Sequence, residues 1–187
     1  MSTSGWIFIG VVGFLIVFAI FIYNGLITLR QRVNQSFADI DVQLKQRHDL
    51  IPNLIETVKG YASHERGTFD AVIKARNSAM AAQTPGQIAA AENQLTGALR
   101  GLLALGEAYP DLKASANFQQ LQAELSDIEN KIAAARRFFN SAVQEYNTGI
   151  ERFPAVLAAG ALGFSKREFF DLGEARGQLQ QPPSVKF

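Results

Sequence analysis

Cysteine is missing altogether from the 187 residues. That excludes disulfides, zinc–thiolate sites, iron–sulfur clusters and cysteine nucleophiles. Its absence suits a reducing or an oxidising compartment equally. Histidine is scarce, with His48 and His64 alone. An excess of one charge is lacking too: 18 Lys and Arg against 17 Asp and Glu leave a formal +1. A nucleic-acid binder would carry a basic footprint, so no nucleic-acid partner is expected. No glycine-rich turn joins a strand to a helix, so there is no phosphate cradle. Gly160 and Gly163 fall in a run of small residues without that setting. The length suits one compact domain with a short appendage.

Charge is also absent from the whole N-terminal stretch, because the first charged side chain is Arg30. Within that stretch Trp6 to Tyr23 reads WIFIGVVGFLIVFAIFIY, every residue apolar or glycine except the closing tyrosine. As a helix it spans roughly 27 Å, close to the hydrocarbon thickness of a bilayer. Trp6 and Tyr23 bracket the run, where amphipathic rings favour the interface. A cleavable signal peptide would show a basic n-region and a small-residue cleavage site, and neither is present. The segment therefore reads as a signal anchor, with membrane lipid as its first partner. MSTSG before it carries no lysine or arginine, whereas Arg30 and Arg32 follow closely, then Lys45 and Arg47. This asymmetry predicts an N-terminus outside and the remaining chain in the cytoplasm. Gly10 and Gly13 offer a second transmembrane helix a close approach, though their spacing is three rather than four.

Beyond Tyr23 strand signals are nearly absent and helical periodicity is nearly continuous. Leu26, Leu29, Val33, Phe37, Ile40 and Leu44 step by three or four, which places them on one stripe. Pro52 disfavours helix at Ile51 and lacks an amide hydrogen. A tight reversal or a kinked long helix both fit, and the reversal is the expectation carried forward. Leu54, Ile55, Val58, Tyr61, Phe69, Val72 and Ile73 continue the pattern, with Gly60 and Gly67 weakening it. Thr84-Pro85-Gly86 opens a third helix, threonine as cap and proline in first position. Its stripe is Ile88, Leu95, Leu99, Leu102 and Leu103. Tyr109-Pro110-Asp111 closes it, residues 111–116 read as a loop, and Asn117 with Gln120 resembles a capping box. The fourth helix is the most regular: Phe118, Leu121, Leu125, Ile128, Ile132, Ala135, Phe139, Ala142 and Tyr146 alternate three and four, a heptad stripe.

The expected fold is thus all-α: an N-terminal transmembrane helix followed by an antiparallel four-helix bundle with long helices. The divisions are a tail at 1–5, the span at 6–23, a bundle at 24–154 and a C-terminal strap and tail at 155–187. The bundle helices fall at about 25–48, 50–82, 85–109 and 118–153. After Pro154 the apolar run Ala155–Phe164, too short to cross a bilayer, gives way to charge. The segment reads either as a strap packed along the bundle or as a membrane-interfacial stretch. In the second reading Phe164, Phe169 and Phe170 sit among headgroups beside Lys166 and Arg167.

Chemistry-bearing constellations are weak. Asp41, Lys45 and Arg47 fit a solvated helix face, and surface carboxylates seldom have their pKa values driven apart as acid–base catalysis needs. His64-Glu65 lacks the second histidine of an H-E-x-x-H site, and His48 reads as a surface or capping residue. No catalytic, cofactor-binding or metal-ligating residue is assigned. Asn130, Arg136, Arg137, Asn140 and Asn147, with Asn53, form the candidate interaction surface. Such a polar flank serves either as an internal hydrogen-bond network setting helix register or as contact surface for a second copy or a partner protein.

One resemblance stands out. ADIDVQLKQRHDLIPNLIETVKGYASHE (Ala38–Glu65), ENKIAAARRFFNSAVQEYNTGIERFP (Glu129–Pro154) and the PPSVKF ending resemble the conserved blocks of the LemA family of small bacterial membrane proteins. Phe138-Phe139 departs from that family's arginine-arginine-aromatic-tyrosine-asparagine pattern and removes one hydroxyl. The resemblance implies a single-pass protein of a bacterial inner membrane with a helical-bundle domain. It also implies non-enzymatic scaffolding or adaptor work; with Gly10, Gly13 and the polar flank of the fourth helix as contacts, the expectation is a self-associating scaffold, a homo-oligomer organising membrane or membrane-protein assemblies. The alternative is an adaptor or regulatory subunit of a membrane enzyme such as a protease.

Overall fold

The computed structural model describes residues 3–170. Regular structure among the described residues is entirely helical: α1 Thr3–Lys59, α2 Arg66–Ala81, α3 Pro85–Ala108, α4 Pro110–Ala114 and α5 Ala116–Glu151, with a 3-10 turn at Ala155–Leu157. The PPSVKF tail lies outside the described residues. The chain divides into two compact units rather than the one expected: among described residues, 3–38 with 138–167, and 39–137 with 168–170. Both units take part of the 57-residue α1.

The expected reversal at Pro52 does not occur. Pro52 lies inside α1, and the chain turns instead at residues 60–65, between α1 and α2. Proline in a helix interior removes the hydrogen bond to the carbonyl four residues back, here that of His48. That carbonyl is not orphaned, because Arg76 Nε on α2 donates to it at 2.8 Å. Helix ends instead at Gly60, where glycine is about 1 kcal/mol worse than alanine in a helix. Tyr61 and Ala62 then close the last turn on the Val58 carbonyl. The helices expected at 25–48 and 50–82 are accordingly replaced by α1 through Lys59 and a shorter α2.

The Thr84 cap is as expected. Thr84 Oγ1 accepts from the Gln87 amide, the Gln87 side chain returns to the Thr84 amide, and Pro85 is in first position. Residues 111–116 are not a loop, since Pro110–Ala114 forms α4. Asn117 is no cap, because α5 already begins at Ala116. Proline at Pro110, where a missing N–H has no helical partner to lose, is what lets α4 start directly after α3.

In the unit built on residues 3–38 and 138–167, α1 and α5 run antiparallel. Phe37 meets Phe139 with ring centroids 5.5 Å apart, Arg32 pairs with Glu145 at 2.6 Å, and Gly149 lies against Leu26 and Leu29. Leu26, Val33, Val143, Tyr146 and Ile150 are buried there. In the other unit, segments of α1, α2, α3, α4 and α5 enclose one apolar core. Ile51, Leu54 and Val58, Phe69 and Val72, Leu95, Leu99 and Leu102, Leu112, and Phe118 with Leu125 contribute to it.

Candidate functional site

The apolar stripe of α1 continues through Leu44, Ile51, Leu54 and Val58. Residues three and four beyond Leu44 are Arg47 and His48, so helical geometry turns both inward. Arg47 is 2% exposed and His48 8%. On α3 the stripe Ile88–Leu95 has a gap that Glu92 fills, and Glu92 is 4% exposed. These three side chains meet. Arg47 Nη1 donates to Glu92 Oε2 at 2.7 Å, and His48 Nε2 lies 2.7 Å from Glu92 Oε1. Arg47 Nη2 donates to Thr96 Oγ1 at 2.7 Å and faces Glu129 Oε1 of α5 at 2.7 Å. Thr96 Oγ1 in turn donates to the Glu92 carbonyl at 2.9 Å. Arg76 completes the set from α2 through the His48 carbonyl.

One guanidinium thus faces two carboxylates, with Glu92 almost wholly buried and the Glu129 side chain 39% exposed. Planar forked donors suit this arrangement, where a lysine would offer a single point charge. A cavity of about 40 Å³ beside it is bounded by Arg47, Glu92, Thr96, Glu129, Arg136 and Phe170, room for a water or two. His48 also borders a surface groove of about 340 Å³ lined by Asp41, Leu44, Lys45, Asp49, Met80 and Ile88. A histidine backed by a carboxylate is the pairing general-base catalysis uses. The groove lining, however, brings no hydroxyl or thiol to it, and its lysine is held by Asp49. What the arrangement can do is hold α1, α2, α3 and α5 in one register.

Sequence reasoning placed Arg47 on a solvated face and His48 at the surface, and the structure overturns both. The error follows from ending the first helix at Pro52, because carrying the three–four spacing across the proline puts both residues on the buried stripe. Glu92, Glu129 and Arg76 were not singled out at all. The skipped position between Ile88 and Leu95 was the available signal for Glu92; nothing in the pattern marked Arg76.

The expected interaction surface is only partly surface. Asn130 and Arg137 are exposed, while Arg136 and Asn140 are half-buried. The Arg136 guanidinium lies 5.5 Å from the centre of the Phe170 ring, a cation–π distance. Asn147 is buried and turned inward. Its Nδ2 donates to the Arg167 carbonyl and its Oδ1 accepts from the Arg167 amide, both at 2.9 Å. The amide is therefore spent on clamping the C-terminal segment inside its own unit.

The phenylalanines that the interfacial reading of the C-terminal segment would set among headgroups have protein partners, as its alternative, a packed strap, would give them. Phe164 and Phe170 are buried in protein, at 4% and 1%, and Phe169 is half-buried. Phe164 packs edge-on against Tyr23, centroids 5.7 Å apart, with the Arg30 guanidinium 5.3 Å over its ring. Lys166 is exposed and pairs with Glu151 at 2.5 Å. The side chains of residues 7–18 are exposed throughout, Gly10 and Gly13 with no side chain near them. Among the described helices α1 alone is long and apolar enough to cross a membrane, consistent with a membrane anchor.

Comparison with known proteins gives a family model, described as the LemA family, that matches residues 36–187. Magnetosome protein MamQ of Magnetospirillum gryphiswaldense is 24% identical over 79% of this chain and 64% of its own length. Magnetosome protein MamQ 2 of Paramagnetospirillum magneticum gives the same figures. Protein LemA of Metamycoplasma hominis is 24% identical over 81% of this chain and 69% of its own. The chain therefore spans a little under two thirds of the length of the MamQ relatives it matches.

Proposed function

Because the chain belongs to the LemA family, we propose that it is a membrane-anchored, non-enzymatic helical scaffold that associates with further copies of itself. The observation that carries this reading is the contrast along α1. Among the described residues nothing covers its apolar stretch, with none of the best membrane window buried. Its later turns spend even arginine and histidine on internal packing. An exposed apolar helix needs lipid or another helix around it, and a body whose buried polar groups bond one another suits fixed geometry better than turnover. Arg30 and Arg32 after the span, against no basic residue in MSTSG, orient the domain toward the cytoplasm of a bacterial inner membrane. Asn130 and Arg137, which point outward on α5, are the polar contacts left for a second copy.

The test is the mass and composition of the complex extracted gently from native membranes through a C-terminal tag. A large particle holding this chain alone is expected. A single-copy particle, or a small one with a reproducible second protein, overturns self-association, and the second of these makes an adaptor role the better reading.

A further inference from the structure

The two largest apolar exposures outside the apolar stretch of α1 fall on one short segment, Phe153 at 79% and Leu157 at 76%, ahead of the scattered Met80, Phe138 and Val42 at 53–58%. Val156 at 49% and Leu162 at 46% lie on the same segment. The segment is not a loose tail. Val156 N–H bonds the Arg152 carbonyl, Ala159 N–H the Ala155 carbonyl, and Phe164 N–H the Ala159 carbonyl, at 2.8–2.9 Å. Ala155 and Ala159 face inward, buried at 7% and 4%. A compact, internally bonded turn thus directs four large apolar side chains outward, a display that water penalises at roughly 25 cal/mol per Å² of apolar surface.

Its position along α1 says what covers it. The turn ends at Phe164, whose ring is held between Tyr23 and Arg30, while α5 arrives with Gly149 against Leu26 and Leu29. Tyr23 closes the uncharged apolar run and Arg30 is the first charge after it. Seven residues of helix separate them, about 10 Å, comparable with the headgroup layer on one side of a bilayer. We propose that the turn at 153–162 is a second membrane contact, seated in the headgroup–acyl boundary beside α1, with Phe153, Val156, Leu157 and Leu162 as its inserted side chains. Arg152 is exposed within the same unit, where its charge meets lipid phosphates. Phe164 is the strut that sets the depth of the turn. The contact makes a one-helix anchor into a two-point attachment that fixes the tilt of α1.

The inference rests on residues 6–23 lying in lipid, and the experiment separates the two. The chain has no cysteine, so Leu157→Cys, Ile20→Cys and Ser141→Cys each carry one environment-sensitive fluorophore on the full-length protein. All three positions are exposed, so the labels displace no packing. Ser141 lies about 12 Å up α5 from Gly149, away from the proposed contact. The proteins are placed in phosphatidylcholine–phosphatidylglycerol vesicles with acyl chains brominated near the carbonyl end, and iodide is the aqueous quencher. Quenching of the Leu157 label by bromolipid at least twofold above that at Ser141, with iodide access reduced at least twofold, is the expected result. A Leu157 label that matches Ser141 while Ile20 is quenched overturns the interfacial contact and leaves the anchor standing. An Ile20 label unquenched by bromolipid overturns the anchor and this inference with it.

Discussion

Replacing Arg76 by methionine tests whether α1 passes Pro52 intact only because α2 repairs it. Pro52 has no N–H, and the His48 carbonyl accepts from Arg76 Nε at 2.8 Å. A hydrogen bond from a charged donor contributes about 1.5–3 kcal/mol, and a carbonyl left unsatisfied beside a buried residue loses a similar amount. Arg76→Met should therefore lower unfolding stability by about 2 kcal/mol. Pro52→Ala restores the ordinary helical donor. Interior proline costs about 3 kcal/mol; one bond's share of that is already recovered here, and proline restrains the unfolded chain by up to about 1 kcal/mol. The net gain from Pro52→Ala alone should be about 1 kcal/mol. In that background the guanidinium is redundant, so Arg76→Met should then cost under about 1 kcal/mol, giving a coupling energy of about 1–1.5 kcal/mol. The assay is urea unfolding of the full chain in mild detergent, followed by far-ultraviolet circular dichroism. Equal effects of Arg76→Met in both backgrounds, within the few tenths expected of independent sites, would refute the repair.

The remaining predictions concern other contacts. Arg47→Met strands Glu92, whose side chain is 5% exposed, without its cation; breaking a buried pair this way costs about 3–5 kcal/mol, and a loss below 1 kcal/mol in the same urea assay would mean that Glu92 finds another partner. Gly106→Ala puts a Cβ 2.9 Å from Phe118 Cε1 and 3.2 Å from its Cζ. That collision with a rigid ring should outweigh the helix-propensity gain and lower stability by about 1–2 kcal/mol, with Phe118→Leu in the same chain relieving it. Tyr109 donates its hydroxyl to Glu65 at 3.1 Å, and that bond, then burial and the carboxylate's charge, hold its pKa above the ordinary 10.0. Since the folded state keeps that proton longer than the unfolded state, the pair's contribution is full below about pH 10 and is lost as pH rises through the folded value. The stability difference between the parent and Tyr109→Phe should shrink on that alkaline limb, and a difference constant to pH 11.5 would contradict the assignment. Asp49 runs the other way: hydrogen bonding to Lys45 lowers its pKa below 3.8, so its contribution holds above about pH 4 and fades as pH falls. Asp49→Asn should flatten that part of the acid limb.

How much was legible in the sequence depended on whether a signal was local. The apolar helix at Trp6–Tyr23, the Thr84 cap with Pro85 behind it and the α5 stripe are each written within a few turns of chain, and a helix, a cap and a buried stripe stand at those places. Six of the nine α5 stripe residues, from Phe118 to Tyr146, are buried, because a three–four alternation leaves a helix little choice of face. The break at Pro52 was misplaced because its remedy is remote: Arg76 lies 24 residues further on, and no propensity carries that information. The phenylalanines of the C-terminal segment stayed open between strap and headgroup for a related reason. Aromatic rings beside Lys166 and Arg167 fit either reading, and Tyr23 and Arg136, distant in sequence, each claim one of them. Composition does not say which side chains of such a segment have protein partners.

The charged residues inside the unit at 39–137 answer a difficulty that its apolar stripes create. Leucine stripes on α3 and aliphatic stripes on α1 are nearly self-similar after one turn, so sliding one helix by about 5.4 Å keeps leucine against aliphatic side chain. Apolar contact alone distinguishes the two registers poorly, as uniformly packed cores do. Arg47 breaks the degeneracy. A slip of one turn moves Glu92 and Thr96 past it together and exchanges two short hydrogen bonds for a buried carboxylate without its cation, the guanidinium keeping Glu129 alone. A stranded buried ion costs several kcal/mol, which is more than the repacked leucines return. Because Glu129 meets the same guanidinium from α5 and Arg76 ties α2 to the neighbouring carbonyl, one stretch of α1 sets the register of three other helices. The positions where the stripes stop being apolar, 47, 48 and 92, are therefore the ones that select a single packing from several of similar hydrophobic content.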